Sequence, residues 1–190
     1  QALRPDLARK WLPAIERLLT DEDEDVRAGA VRAISVIRGE ESAGLMRPYV
    51  DDSNPRVAVT AAVALGTSRS AADQRTAFEV LQRLAKDSRE GAAPARREVA
   101  KALAHIPDPQ FHDLLVPLMY DANLEVARAA IRSAGRIGSE SVLFVPALVS
   151  LLRNRLLKAD ARGVLVGYGE AAVEPLAYFL RDQDEDLWVR

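Results

Sequence analysis

The sequence predicts an all-α chain of stacked helix pairs, and three observations carry that prediction. A short pattern recurs along the whole length: Val26, Val57, Ala95, Val126, Leu157 and Val189 occupy equivalent positions, spaced by 31, 38, 31, 31 and 32 residues. After each of them, apolar residues return with the period of an α-helix. Ahead of most stands an Asp or Asn suited to cap a helix. No stretch shows the strict alternation of a half-buried strand. A fixed period near 30 residues marks a repeat architecture, in which one helix pair cannot bury its apolar face alone and stacks on the next.

The elements follow in order. The first amphipathic stretch, 11–19, contains Pro13, and the second helix of that repeat begins near residue 24 behind Asp23. Its buried face is Val26, Ala30, Ile34 and Ile37, at offsets of zero, four, eight and eleven. Stretch 45–50 with Pro48 precedes a helix starting near 55, where Asn54 is the cap and Pro55 takes the first helical position at no hydrogen-bond cost. Its face is Val57, Ala61 and Leu65. In repeat three, stretch 78–84 leads through an extended loop, 89–93, to a helix near 94 carrying Ala95, Val99, Leu103 and Ile106. That repeat is seven residues longer than the common spacing, with the surplus divided between a longer first helix and the loop. Stretch 114–119 with Pro117 precedes a helix near 124, capped by Asn123 and faced by Val126, Ala130, Ala134 and Ile137. Stretch 145–152 with Pro146 precedes one near 155, capped by Asn154 and faced by Leu157, Ala161, Leu165 and Tyr168. Stretch 173–180 with Pro175 leads to Asp186 and a last start near 187. This amounts to about five helix pairs plus a partial sixth, with small residues at offset four allowing close helix approach.

Composition narrows the chemistry. The 190 residues carry 26 Lys plus Arg against 28 Asp plus Glu, a net charge of −2, which argues against binding nucleic acid or an anionic membrane through bulk charge. There is no Cys, so disulfides, thiolate ligands and Cys nucleophiles are excluded. Two His, His105 and His112, are too few for a multi-His metal site. The longest apolar run, 142–152, is half of what a membrane helix needs. The chain opens on Gln1 and closes on Arg190 without a turn signal, so the expectation is one repeat domain over 1–190 taken from a longer protein.

Asp23 to Arg27 with Ala30, Ala33 and Ile34, and their counterparts downstream, resemble the HEAT repeat, in its short bacterial type also called PBS-lyase-like. The resemblance covers essentially the whole chain. It implies a right-handed α-α superhelix, with first helices on the convex side and second helices lining a concave side where partners lie. It also implies that the basic residue after position zero pairs with the inter-helix acid of a neighbouring repeat. Arg27, Arg96, Lys158 and Arg190 are those basic residues, and Asp21, Asp52, Asp121 and Asp184 are the acids. Repeat three departs from the pattern, with Ala95 in place of Val and Pro94 shortening the helix start, while Glu90 stands with the acids at offset minus five.

No catalytic set stands out. His105 and His112 read as surface or helix-end residues, there is no HExxH, and no metal or other cofactor is expected. The acids of 21–25 sit where a helix N-terminus favours them anyway. Gly163, Gly167 and Gly169 follow no strand and read as tight packing with a helix C-cap at Gly169. One set of cations is harder to absorb: Arg97, Lys101 and His105 in repeat three, and Arg128, Arg132 and Arg136 in repeat four, all at offsets two, six and ten. Repeats two and five carry no charge at those offsets, and repeat one only Arg32. The function expected is therefore a non-catalytic protein-interaction module, cytoplasmic, whose concave cations take an acidic protein partner. Nucleic acid is disfavoured, because Trp11 and Trp188 lie far from the cations and base stacking lacks a platform. Two alternatives follow from the resemblance: a bilin-lyase-like or DNA-glycosylase-like HEAT enzyme, and a regulatory domain tethered to a bacterial transporter-like membrane protein.

Overall fold

The computed structural model describes residues 5–138 and 142–181. Among them are twelve α-helical segments linked in part by 3-10 turns, and no strand. The segments are α1 (Pro5–Arg17), α2 (Glu24–Arg38), α3 (Ala43–Met46), α4 (Pro55–Gly66), α5 (Ala71–Ala85), α6 (Ala93–Ala102), α7 (Pro109–His112), α8 (Leu115–Met119), α9 (Leu124–Ile137), α10 (Val145–Leu151), α11 (Lys158–Gly167) and α12 (Val173–Arg181). They fall into two compact units, Gln1–Lys86 and Asp87–Arg190. Each is a set of helices stacked pairwise in the all-α superhelical-repeat manner. No helix among the described residues is long and apolar enough to cross a membrane.

The second helices start where the caps stand. The side chains of Asp23, Asn54, Asn123 and Asn154 accept hydrogen bonds from the backbone N–H groups of Asp25, Arg56, Glu125 and Leu156 at 2.8, 2.7, 3.0 and 2.9 Å. Each satisfies a donor that the helix itself cannot. The acid two residues earlier adds a second turn: Asp21, Asp52 and Asp121 accept from the N–H of Asp23, Asn54 and Asn123 at 2.9, 2.8 and 2.8 Å. Regular α-helix begins at Lys158 in α11, three residues later than the spacing predicts. The N–H groups of Leu157 and Lys158 nevertheless both donate to the carbonyl of Asn154, so the turn still originates at the predicted cap.

In the first unit α2 packs between α1 and α4, and α4 between α2 and α5. Val31, Ile34, Met46, Val57, Ala61, Leu65 and Leu81 are fully buried there. In the second unit α9 packs against α6, α8 and α11, and α10 covers α11. Its core contains Val99, Leu103, Phe111, Leu115, Met119, Val126, Ile131, Phe144 and Leu148. Among the position-zero residues, Val57, Ala95, Val126 and Leu157 are buried. Val26 is only half-buried, because among the described residues α2 has a repeat stacked on one side alone.

Two of the first helices are short. Pro48 sits in a 3-10 turn, Arg47–Asp51, and Pro117 lies within the five-residue α8. A proline inside a helix removes a donor and clashes with the preceding turn, which disfavours propagation here, although α1 continues for 13 residues with Pro13 inside it. Repeat three has no such proline, and its α5 runs unbroken for 15 residues. Two further readings need correction. His112 is not a surface residue: it is 7% exposed, with Nε2 2.9 Å from the carbonyl of Ile106. Gly163 and Gly167 do not serve tight packing, since a Cβ at either would meet open space. The close approach is at Gly135, where a Cβ would lie 3.1 Å from Cγ2 of Val164 on α11. Gly169, by contrast, has φ +57°, the left-handed conformation that a C-terminal glycine supplies.

Candidate partner-binding face

Arg97 and Lys101 lie on α6, His105 on the 3-10 turn Leu103–His105, and Arg128, Arg132 and Arg136 on α9. Because α6 and α9 pack together, the two columns belong to one surface of the second unit. A four-residue step along a helix advances about 6 Å, so each column is a ladder of charge along its helix axis. The cations differ in what holds them. Lys101 Nζ pairs with Glu98 at 2.7 Å. Arg128 pairs with Glu125 at 3.5 Å and with Asp160 of α11 at 3.3 Å. Arg97, His105, Arg132 and Arg136 are exposed and have no acidic partner among the described residues. Lys101, Arg132 and Arg136, with Ala129 and Ser133, line a shallow pocket of about 230 Å³. Beside Arg128, Arg132 and Arg136, the equivalent positions of α11 are Ala159, Gly163 and Gly167, all exposed. No side chain of any length from those three positions stands over the arginines.

The inter-repeat acids and bases form two separate clasps. Arg27 donates Nε and Nη2 to the carboxylate of Asp52, both at 3.1 Å, and Nη1 to the carbonyl of Asp21 at 2.8 Å. Arg96 donates Nε and Nη2 to Asp121 at 2.6 and 3.0 Å, and Nη1 to the carbonyl of Asp87 at 2.6 Å. The second geometry repeats the first, so Asp87 takes in repeat three the place that offset counting assigns to Glu90. Asp21 is not an ion-pair partner in its clasp; it contributes its carbonyl to Arg27 and its side chain to the turn at Asp23. Repeats two and four have Ala58 and Ala127 at the basic position, so no clasp leads on from them. Lys158 is exposed, and Asp184 and Arg190 lie outside the described residues.

Burial pushes the carboxyls of Asp52 and Asp121 up, but the guanidinium bonds, the backbone N–H bonds and the facing charge outweigh it and hold both below the ordinary value. The same bonds raise Arg27 and Arg96. Asp87 is held down to about 2 by the fork of Arg89 and by the backbone N–H of Arg89. These are structural ion pairs. Among the described residues no group of three or more His, Asp or Glu is placed to hold a metal ion.

Sequence reasoning missed several ion pairs because they fall outside the repeat's common offsets. Arg47 Nε holds the buried Asp73 at 2.7 Å, Arg38 pairs with Glu16, and Arg56 pairs with Asp25 across consecutive repeats.

Comparison with known proteins bears on the fold. No curated protein matches the sequence. Among solved structures, the YibA protein of Escherichia coli is similar with a TM-score of 0.58 at 19% identity, covering 100% of this chain and 72% of that one. An engineered protein is similar with a TM-score of 0.50 at 18% identity, covering 89% of this chain and 85% of that one. Helical-repeat folds of this kind commonly mediate protein–protein interaction and are typically non-catalytic. The family model for HEAT repeats matches residues 11–95 and 89–165, which is most of the sequence, and the chain belongs to the HEAT-repeat family.

Proposed function

We propose that this chain is a non-catalytic interaction module and that the second-helix face of its second unit takes an acidic segment of a protein partner. In the family's arrays that face is the concave one. The observation that supports this reading is the state of the basic side chains: Arg97, Arg132 and Arg136, with His105 on the same surface, stand exposed without an acidic partner among the described residues. Cations gathered on one surface repel one another, and a negatively charged ligand relieves that repulsion. The exposed small residues of α11 leave room alongside for a bound chain.

The test uses a fluorescent decapeptide of glutamate and anisotropy. Binding is expected at low salt, weakening as salt rises past the point where the screening length falls below about 10 Å. Arg128→Glu with Arg132→Glu is expected to abolish it while leaving the helical circular dichroism unchanged, because Arg128 and Arg132 lie off the apolar stripe. Equal affinity for a lysine decapeptide, or undiminished binding by the double variant, overturns the proposal.

A further inference from the structure

The pocket between α6 and α9 has a composition of its own within the basic face. Its walls are Lys101 from α6 and Ala129, Arg132, Ser133 and Arg136 from α9. At about 230 Å³ it falls below the roughly 300–1,000 Å³ of sites that enclose a whole small molecule. A shallow space of that size suits a small polyatomic anion better than a whole cofactor. Three cations bring a charge of +3 to its rim, and Glu98, paired with Lys101 at 2.7 Å, removes one of them, leaving 3 − 1 = +2.

Ser133 supplies the second element. It is 1% exposed, yet it forms part of the pocket wall. Hydroxyls within helices usually bond back to a carbonyl one turn earlier. Ser35, Thr60 and Thr76 do so in this chain, to Val31, Arg56 and Ala72 at 2.8, 2.7 and 3.1 Å. Ser133 makes no such bond among the described residues, and its hydroxyl remains available as a donor at the pocket.

We infer that this pocket is a seat for a single phosphoryl dianion, with Arg132, Arg136 and Lys101 as its charged donors and Ser133 as its neutral one. The inference rests on the reading of this face as one that binds anions, and it narrows the ligand. A carboxylate is planar, singly charged and satisfied by one guanidinium fork. A phosphoryl group carries close to two charges and presents three acceptor oxygens in different directions. Donors on two helices around a +2 field match the second and exceed what the first can use. The group could arrive as free phosphate or as a phosphorylated side chain of the partner, and the chemistry of the seat is the same for both.

The experiment follows backbone amides of the whole chain by two-dimensional NMR during titration with sodium phosphate, with sodium acetate at matched ionic strength, and with an N-acetyl, C-amide phosphoserine tripeptide. Phosphate is expected to shift amides of α9 and of Lys101 saturably, and acetate to bind at least tenfold more weakly. Ser133→Ala, which removes one hydrogen bond to a charged group, is expected to weaken phosphate by about tenfold. Arg136→Ala is expected to weaken it by at least as much. Binding of the tripeptide along with phosphate identifies a modified side chain as the source; binding of phosphate alone identifies the free anion. Equal shifts with acetate, shifts spread over all surface cations, or no effect of either variant overturns the seat. Retained binding of the glutamate decapeptide by Ser133→Ala would then show that the broader acidic-partner reading survives without it.

Discussion

The guanidinium of Arg96 grips the carboxylate of Asp121 through two hydrogen bonds of 2.6 and 3.0 Å, while its third nitrogen group holds the carbonyl of Asp87. The same three contacts recur between Arg27, Asp52 and Asp21. One arginine therefore ties the loop that opens its own helix to the loop that opens the next, and fixes the register of two repeats. Positions 58 and 127 carry alanine and offer no such arginine, and repeats four and five are tied instead by the Arg128–Asp160 pair and by the Tyr168 hydroxyl on the carbonyl of Ala134.

Asp121→Ala should therefore be costly for a residue so close to the surface. It strands the guanidinium of Arg96, whose side chain is only 14% exposed, and removes the acceptor for the N–H of Asn123. Breaking a partly buried charged pair of this kind costs about 2–4 kcal/mol. The double variant Arg96→Ala with Asp121→Ala should recover part of that, because no charge is left without its partner. Chemical denaturation of the four members of the cycle checks this; a single-variant loss within about 0.5 kcal/mol, the range of ordinary surface changes, would show that the clasp does not hold the repeats.

Acid should loosen both clasps. Asp52, Asp73, Asp87 and Asp121 all have folded-state values below the ordinary 3.8. A depressed carboxyl contributes stability that is complete above its unfolded value and is lost as pH falls through the folded one. The melting temperature should be level above about pH 5 and fall steadily between about pH 4 and pH 2. Asp121→Asn should lower the plateau and flatten that fall. An unchanged acid slope in this variant would assign the transition to other carboxyls.

Much of this architecture is legible in the sequence because each repeat states it several times over. Helix period, cap and apolar zero position coincide at Val57 and Val126, and both are fully buried. The six surface cations could be located for the same reason, since a fixed offset defines a face. What eluded the sequence depends on geometry that offsets do not encode. Three residues inserted between Asp87 and the start of α6 moved the acid of repeat three away from its expected number, and only the contact with Arg96 reveals it. His112 does end a helix, but it is not on the surface: the chain turns it inward onto the carbonyl of Ile106. The pocket at Ser133 needs two helices brought together, and neither helix alone predicts it.

Gly29 offers a gain in stability. It lies exposed inside α2, and a Cβ there would meet nothing within 4 Å. Alanine restricts the unfolded chain and favours the helix, so Gly29→Ala should stabilise by about 0.5–1 kcal/mol. Gly135→Ala is the matched control: it gains the same helix propensity but must displace Val164 from a 3.1 Å approach. A ranking of melting temperatures with Gly29→Ala above the parent and Gly135→Ala below Gly29→Ala is expected. The reverse order would place the tight helix contact elsewhere.

Tyr168 joins two repeats of the second unit from within the core. Its hydroxyl donates to the carbonyl of Ala134 at 3.0 Å, and the residue is 6% exposed. Burial disfavours the phenolate and pushes its pKa up to about 12 from an ordinary value of 10. The raised value means that the neutral form is the one the fold stabilises. Its contribution is whole below about pH 10 and is lost as pH climbs toward about 12. Ultraviolet titration should therefore show one tyrosine ionising late, near pH 12, together with the loss of helical signal. Tyr168→Phe removes the donor and leaves the carbonyl of Ala134 without that bond, at a cost of about 1 kcal/mol, while the ring continues to fill its site. This variant should lose the late ionisation step and keep the fold at neutral pH. A late step that persists in Tyr168→Phe would belong to another tyrosine, and the bond to Ala134 would then not be what ties α9 to the end of α11.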